Sequence, residues 1–243
     1  MDSHWAWVLG QGFLGAVFGS YIATLALRWP QPARGRSRCD ACGETLRWWE
    51  LVPLVSYLAL RGKCARCGGR IAAYHPAIEV LGVAIGMAAA IAAPGVAGLM
   101  GAIFGWLLLA LGAVDIRVFR LPNPMTVLLA IAGMLQVMIL DLPFGAHLAG
   151  GVAGSASLWL VAGAYRRLRG REGLGGGDAK LFGAIGLWLG WRALPWVLLT
   201  ACLIGLVVAV TLRMKRDARL PFGALLGASA FAIWCVQMWG ATR

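Results

Sequence analysis

Apolar runs of about 17–25 residues, the length that spans a bilayer as helix, recur along this whole 243-residue chain. They are continuous and do not alternate as barrel strands do, and helices are the only other structure that satisfies its own backbone in lipid. Composition agrees: 60% of the residues are hydrophobic and 13% charged, where a soluble domain is nearer a quarter charged. The expectation is an all-α, polytopic integral membrane protein of about eight transmembrane helices, over residues 5–27, 76–93, 96–114, 122–140, 146–165, 179–189, 193–212 and 221–240. The run at 179–189 is short and needs neighbours to complete its burial. The first run is too long for a cleavable signal, lacks its basic flank and reads as retained. Gly12, Gly15 and Gly19 give that helix a small-residue face for close packing.

The net charge is +12, from 22 basic and 10 acidic residues. In a soluble chain this would raise nucleic-acid binding. Here the bases lie between apolar runs, so the positive-inside rule explains them and no nucleic-acid partner is expected. With the N-terminus outside, all Lys and Arg but Arg192 and Arg243 fall on the cytoplasmic face, including Arg34, Arg171, Lys215 and Arg216. The same alternation places Asp115 and Asp178 on that face.

The chain divides into a first helix (1–29), a polar loop (30–75) and a helical core (76–243). The loop carries Cys39-Asp-Ala-Cys42 and Cys64-Ala-Arg-Cys67, each pair followed by glycine. Four thiols at this spacing suit a structural zinc site, with a redox pair or free thiols as the alternatives. A closed four-sulfur site would fold a loop that has little core of its own; it would not be the reaction centre. Within the loop, residues 51–60 form an apolar stretch too short to cross the membrane. His75 reads as interfacial, and Cys202 and Cys235 as packing residues.

An acid inside a membrane segment costs about 2.5–3.5 kcal/mol and is a functional-site hypothesis by default. Asp115 ends an apolar run, and Asp178 opens another within Gly173-Leu-Gly-Gly-Gly-Asp-Ala-Lys180. Taken singly, Asp115 could pair with Arg117 or Arg120, Asp178 could cap a helix, and the glycines could be a linker. Together, two acids on one face suggest a pair that shares a proton, one member activating water while the other polarises a carbonyl. Gly175, Gly176 and Gly177 would let a peptide backbone approach, and Lys180 would anchor at the interface or contact substrate. Glu79 reads equally as an interfacial carboxylate or a substrate-binding one. Asp2, Asp40, Glu44, Glu50, Glu172 and Asp217 read as solvated charge, and Asp141 as a loop residue.

The Gly-Gly-Gly-Asp-Ala-Lys stretch and the earlier Asp115-Ile-Arg followed by Leu121-Pro-Asn resemble the Gly-x-Gly-Asp membrane aspartyl proteases, specifically the bacterial type IV prepilin peptidases. Gly19-Ser-Tyr-Ile22, Glu50-Leu-Val-Pro, Leu60-Arg-Gly-Lys-Cys64, Tyr74-His-Pro-Ala-Ile-Glu79 and Leu220-Pro-Phe-Gly-Ala extend the resemblance over nearly the whole chain. It implies an aspartic endopeptidase of the bacterial inner membrane, cutting the basic leader from prepilins or type II secretion pseudopilins after a glycine at the cytoplasmic face. Asp115 and Asp178 would be the catalytic acids, and Cys39, Cys42, Cys64 and Cys67 would hold zinc. Many members then methylate the new N-terminus with S-adenosyl-L-methionine. Ala23 stands where the family usually has asparagine, and no glycine-rich S-adenosylmethionine fingerprint is visible, so a peptidase without the transferase step is an alternative. Two readings from other classes are a proton- or ion-coupled transporter and a non-catalytic scaffold that docks through its zinc loop.

Overall fold

The computed structural model describes residues 2–31, 36–39, 41–170, 175–214 and 219–241. Arg34, Asp40, Arg171, Glu172, Gly173, Lys215, Arg216, Asp217 and Arg243 lie outside the described residues. The described chain is helical: α1 (Asp2–Arg28), α2 (Val55–Ala59), α3 (Tyr74–Ala92), α4 (Gly95–Val118), α5 (Asn123–Ile139), α6 (Phe144–Arg169), α7 (Gly176–Leu189), α8 (Leu194–Thr211) and α9 (Phe222–Ala241). Every apolar run expected to span the membrane is a helix. By length and composition six of them can cross it: α1, α3, α4, α6, α8 and α9. The two others are shorter, α5 at 17 residues and α7 at 14. At 1.5 Å per residue α7 rises only about 21 Å, against a hydrocarbon core of about 30 Å. It tolerates this because it is enclosed by protein, packing on α5, α6, α8 and α9.

Glycine sets the two closest helix pairs. Between α1 and α3, a methyl added at Gly15 would strike the Gly82 carbonyl, and one at Gly19 would come 2.7 Å from Glu79 Cα. The expected face of Gly12, Gly15 and Gly19 is therefore the α1–α3 contact. Between α6 and α7, Gly150 and Gly186 meet backbone to backbone, and a methyl at Gly154 would lie 2.8 Å from the Phe182 carbonyl. Bare glycine faces suit helices in lipid, where close packing substitutes for the hydrophobic effect.

The most buried of the six long apolar helices is α4, which touches α1, α3, α5 and α9. Phe104 of α4 stacks on Trp188 of α7 at 4.7 Å between ring centroids. Interior polar groups mostly find partners, as a dry interior demands, Ser229 Oγ being a buried exception. Trp188 Nε1 donates to the Leu129 carbonyl at 2.7 Å, Trp106 Nε1 to Gly82 at 3.0 Å and Gln136 Nε2 to Trp188 at 3.2 Å. Large apolar side chains such as Leu160, Met138 and Val236 point outward, the arrangement of a surface solvated by lipid.

The polar loop between α1 and α3 turns twice in the same way. Cys39 N–H bonds to the Glu44 carbonyl and Gly43 N–H to the Cys39 carbonyl; Cys64 N–H bonds to Gly69 and Gly68 N–H to Cys64. Gly43 and Gly68 take φ of +71° and +69°, which explains the glycine after each cysteine pair. The apolar stretch at 51–60 begins at the end of a 3-10 turn (Trp48–Leu51) and holds α2.

Candidate active site and metal centre

Four segment ends meet around Leu121. Asp115 sits one turn before the end of α4, where Phe119 takes φ +50° and donates its N–H to the Asp115 carbonyl at 2.8 Å. The chain then turns through Leu121 and Pro122 into α5. A methyl added at Gly177, in the first turn of α7, would come 3.1 Å from Leu121 Cβ. One added at Gly223, in the first turn of α9, would come 3.0 Å from Leu121 Cδ1 and 3.0 Å from Asp115 Oδ2. Glycine at both positions lets the three helices close on Leu121.

Asp115 is buried, 5% exposed. Its Oδ2 accepts the Ala224 N–H at 3.1 Å, and the Gly223 N–H also acts on it. The first turn of α9 thus aims unpaired amides and the positive end of a helix at the carboxylate. The pairing with Arg117 or Arg120 is not made; Arg117 lies over the Tyr74 ring at 5.6 Å. Asp178 is half-buried and stands third in α7. It is not the helix cap, because Gly175 takes that position and the helix begins at Gly176, before the expected start at Ala179. Leu121 joins the two segments: Gly177, the neighbour of Asp178, packs on it, and Gly223 packs on both it and Asp115 Oδ2. Gly175 and Gly176 are exposed beside Asp178, so this member of the pair faces the open side.

The remaining candidate residues divide. Gly177 closes on Leu121, Gly176 lies beside Trp159, and Lys180 Nζ donates to Asn123 Oδ1 at 3.0 Å, tying α7 to the start of α5. Glu79 lies apart from these, on the α1–α3 contact, where its Oε2 accepts the Leu54 N–H at 2.8 Å and fixes the loop ahead of α2. Leu121, Asn123, Gly223 and Ala224 belong to the site although only their motifs, Leu-Pro-Asn and Leu-Pro-Phe-Gly-Ala, marked them in the sequence.

The cysteines converge. The sulfurs of Cys39, Cys42, Cys64 and Cys67 all lie within 4.8 Å of one another, and Cys39 Sγ is 3.9 Å from Cys67 Sγ. A tetrahedron with Zn–S bonds of about 2.3 Å has edges of about 3.8 Å, so the four sulfurs fit the ion. N–H groups of Cys67 and Arg66 pull the Cys64 thiol down to about 7. At Cys42 the Glu44 N–H lowers the thiol, but desolvation and the Cys39 and Cys67 sulfurs outweigh it and push it up to about 11.

Known proteins are similar to this chain in sequence. Residues 13–93 match the Bacterial Peptidase A24 N-terminal domain and residues 102–210 the Type IV leader peptidase family. A prepilin leader peptidase/N-methyltransferase of Burkholderia pseudomallei is 41% identical over 204 residues, 81% of this chain and 66% of that protein. Proteins of the same description from Neisseria gonorrhoeae and Dickeya chrysanthemi are 39% and 37% identical, covering 82% and 92% of this chain and 70% and 90% of those proteins. The chain thus spans just under two thirds of the Burkholderia relative and nine tenths of the Dickeya one. No solved structure matches. With both family domains matched in order and both aspartates inside the folded core, the chain belongs to the type IV leader peptidase family.

Proposed function

We propose that this protein is a membrane-embedded aspartic endopeptidase of the bacterial inner membrane. It removes the leader from type IV prepilins or type II pseudopilins at the cytoplasmic face and then methylates the new N-terminus with S-adenosylmethionine. The observation that carries the reading is the meeting of the α4 end, bearing Asp115, with the α7 start, bearing Asp178, around Leu121.

Two interacting carboxylates titrate as one unit and hold a proton between them. Asp115, whose charge the α9 amides and helix end stabilise, is the ionised member and takes the proton of the attacking water. Asp178, on the open side, carries the shared proton and donates it to the scissile carbonyl oxygen, where negative charge develops. Gly175, Gly176 and Gly177 admit the extended backbone of the cleavage segment, and Lys180 fixes the rim through Asn123. The cysteine loop holds zinc through Cys39, Cys42, Cys64 and Cys67; with four sulfur ligands the ion is structural and shapes the loop.

The test is incubation of the purified protein with a prepilin, followed by mass spectrometry of the product's N-terminus. The expected product is shortened by its leader and heavier by one methyl when S-adenosylmethionine is supplied. An unprocessed prepilin would contradict the peptidase reading, and a shortened product without the methyl would contradict the transferase half.

A further inference from the structure

A buried carboxylate, with no ion-pair partner among the described residues, stands in the wall of a cavity that does not include Asp115 or Asp178. The cavity, about 320 Å³, lies between the end of α1, the start of α3 and the cysteine loop. Ser20 and Thr24 of α1, Tyr57 of α2, and His75 and Glu79 of α3 line it, with the Cys64 turn closing it. This volume lies within the ~300–1,000 Å³ usual for small-molecule sites. Glu79 is 6% exposed. One oxygen accepts the Leu54 N–H, and among the described residues no Lys or Arg nitrogen comes within ion-pair distance of it. A buried charge is costly unless it is paired. Arg28, Arg38 and Arg70 also border the cavity, Arg38 and Arg70 from its exposed edge. The site therefore offers one anion deep inside and cations around it.

We propose that this cavity binds the methyl donor S-adenosylmethionine, with Glu79 as counter-charge to its positive centres and the arginines receiving its carboxylate. The assignment rests on the transferase half of the proposed function. Planar guanidinium groups match a carboxylate in a fork geometry. The Tyr57 ring, held against Gly62, offers an aromatic face for a base. In the transfer, the lone pair of the substrate's neutral α-amine forms the N–C bond while the C–S pair passes to sulfur, so the positive charge moves from sulfur to nitrogen. Glu79 can balance that charge before and after the step. Tyr74 Oη donates to the Ala113 carbonyl at 3.1 Å, which places the cavity's helix, α3, beside the turn of α4 that carries Asp115. That contact brings the cavity and the aspartate site to the same end of α3 and α4, as sequential steps on one N-terminus require.

Equilibrium dialysis of radiolabelled S-adenosylmethionine against the purified, zinc-loaded full chain tests this directly, with prepilin cleavage measured on the same wild-type sample. Glu79→Gln keeps an acceptor for the Leu54 N–H and removes the charge; Thr24→Phe fills the cavity from α1. Zinc content and melting temperature report folding. The expected result is saturable binding by wild type, weakened at least tenfold in each folded variant. If Thr24→Phe does not fold, Glu79→Gln decides alone. Wild-type affinity in Glu79→Gln places the donor elsewhere and overturns the assignment while leaving the transferase reading standing. A wild-type protein that cuts prepilin yet binds no donor overturns both.

Discussion

Asp115 receives its hydrogen bond from Ala224, 109 positions along the chain. Gly223 is what lets α9 approach, since a methyl there would press on Asp115 Oδ2 and Leu121. Gly223→Ala should therefore displace the carboxylate and lower cleavage roughly 10²-fold, the order expected for a misplacement of about 1 Å; kcat on a synthetic prepilin peptide checks it. Lys180→Ala removes only an exposed tie to Asn123 and should cost less than tenfold in the same assay. The two acids could be found in the sequence because a carboxylate at the edge of an apolar run needs a reason to be there. The amides of Gly223 and Ala224 could not, because a backbone N–H leaves no mark on residue type and its partner is remote. Glu79 stood out for its charge, but its bond to Leu54 depends on how the loop folds back.

Helix α7 holds Asp178 in place through its glycine contact with α6. Gly186→Leu would drive a side chain into the Gly150 backbone, tilt α7 and separate the acids. Such overpacking costs about 1–3 kcal/mol, occasionally more; a lowered melting temperature together with lost cleavage is the expected outcome. The sequence showed α7 as apolar and short, yet not where it begins. The helix runs back through Gly177 and Gly176, residues of poor helical propensity, because packing against Leu121 and Trp159 overrides that preference. The convergence of the four cysteines was legible, since two Cys-x-x-Cys turns, each followed by a glycine, set the same turn twice. Chelation should open this loop first. Methylation is expected to fall before cleavage does, measured on one sample by mass spectrometry during zinc removal, because the proposed donor cavity is walled by Cys39 and Cys64 while the aspartates are not. Protons compete with zinc for the thiolates, so zinc affinity should weaken as pH falls, as a colorimetric chelator titration would read.

Across the whole molecule, the ends of α1 and α4 and the starts of α3, α5, α7 and α9 gather on one face, joined by the Gly19–Glu79, Tyr74–Ala113 and Leu121 contacts. The positive-inside pattern anticipated this shared face, and it would make the face cytoplasmic. The number of full crossings was less legible, because hydropathy marks apolar runs and cannot tell a helix in lipid from a short one walled by protein, as α7 is. The claim on which everything rests is that Asp115 and Asp178 act as a single unit on prepilin. Groups that act together are strongly non-additive when removed. The measurement is the prepilin cleavage rate of Asp115→Asn, Asp178→Asn and the double variant, each verified as folded. Each single change should lower the rate by at least about 10³-fold, within the range of general acid–base catalysis, and the double should fall no further. A single variant that still cuts at the wild-type rate would contradict the paired site outright.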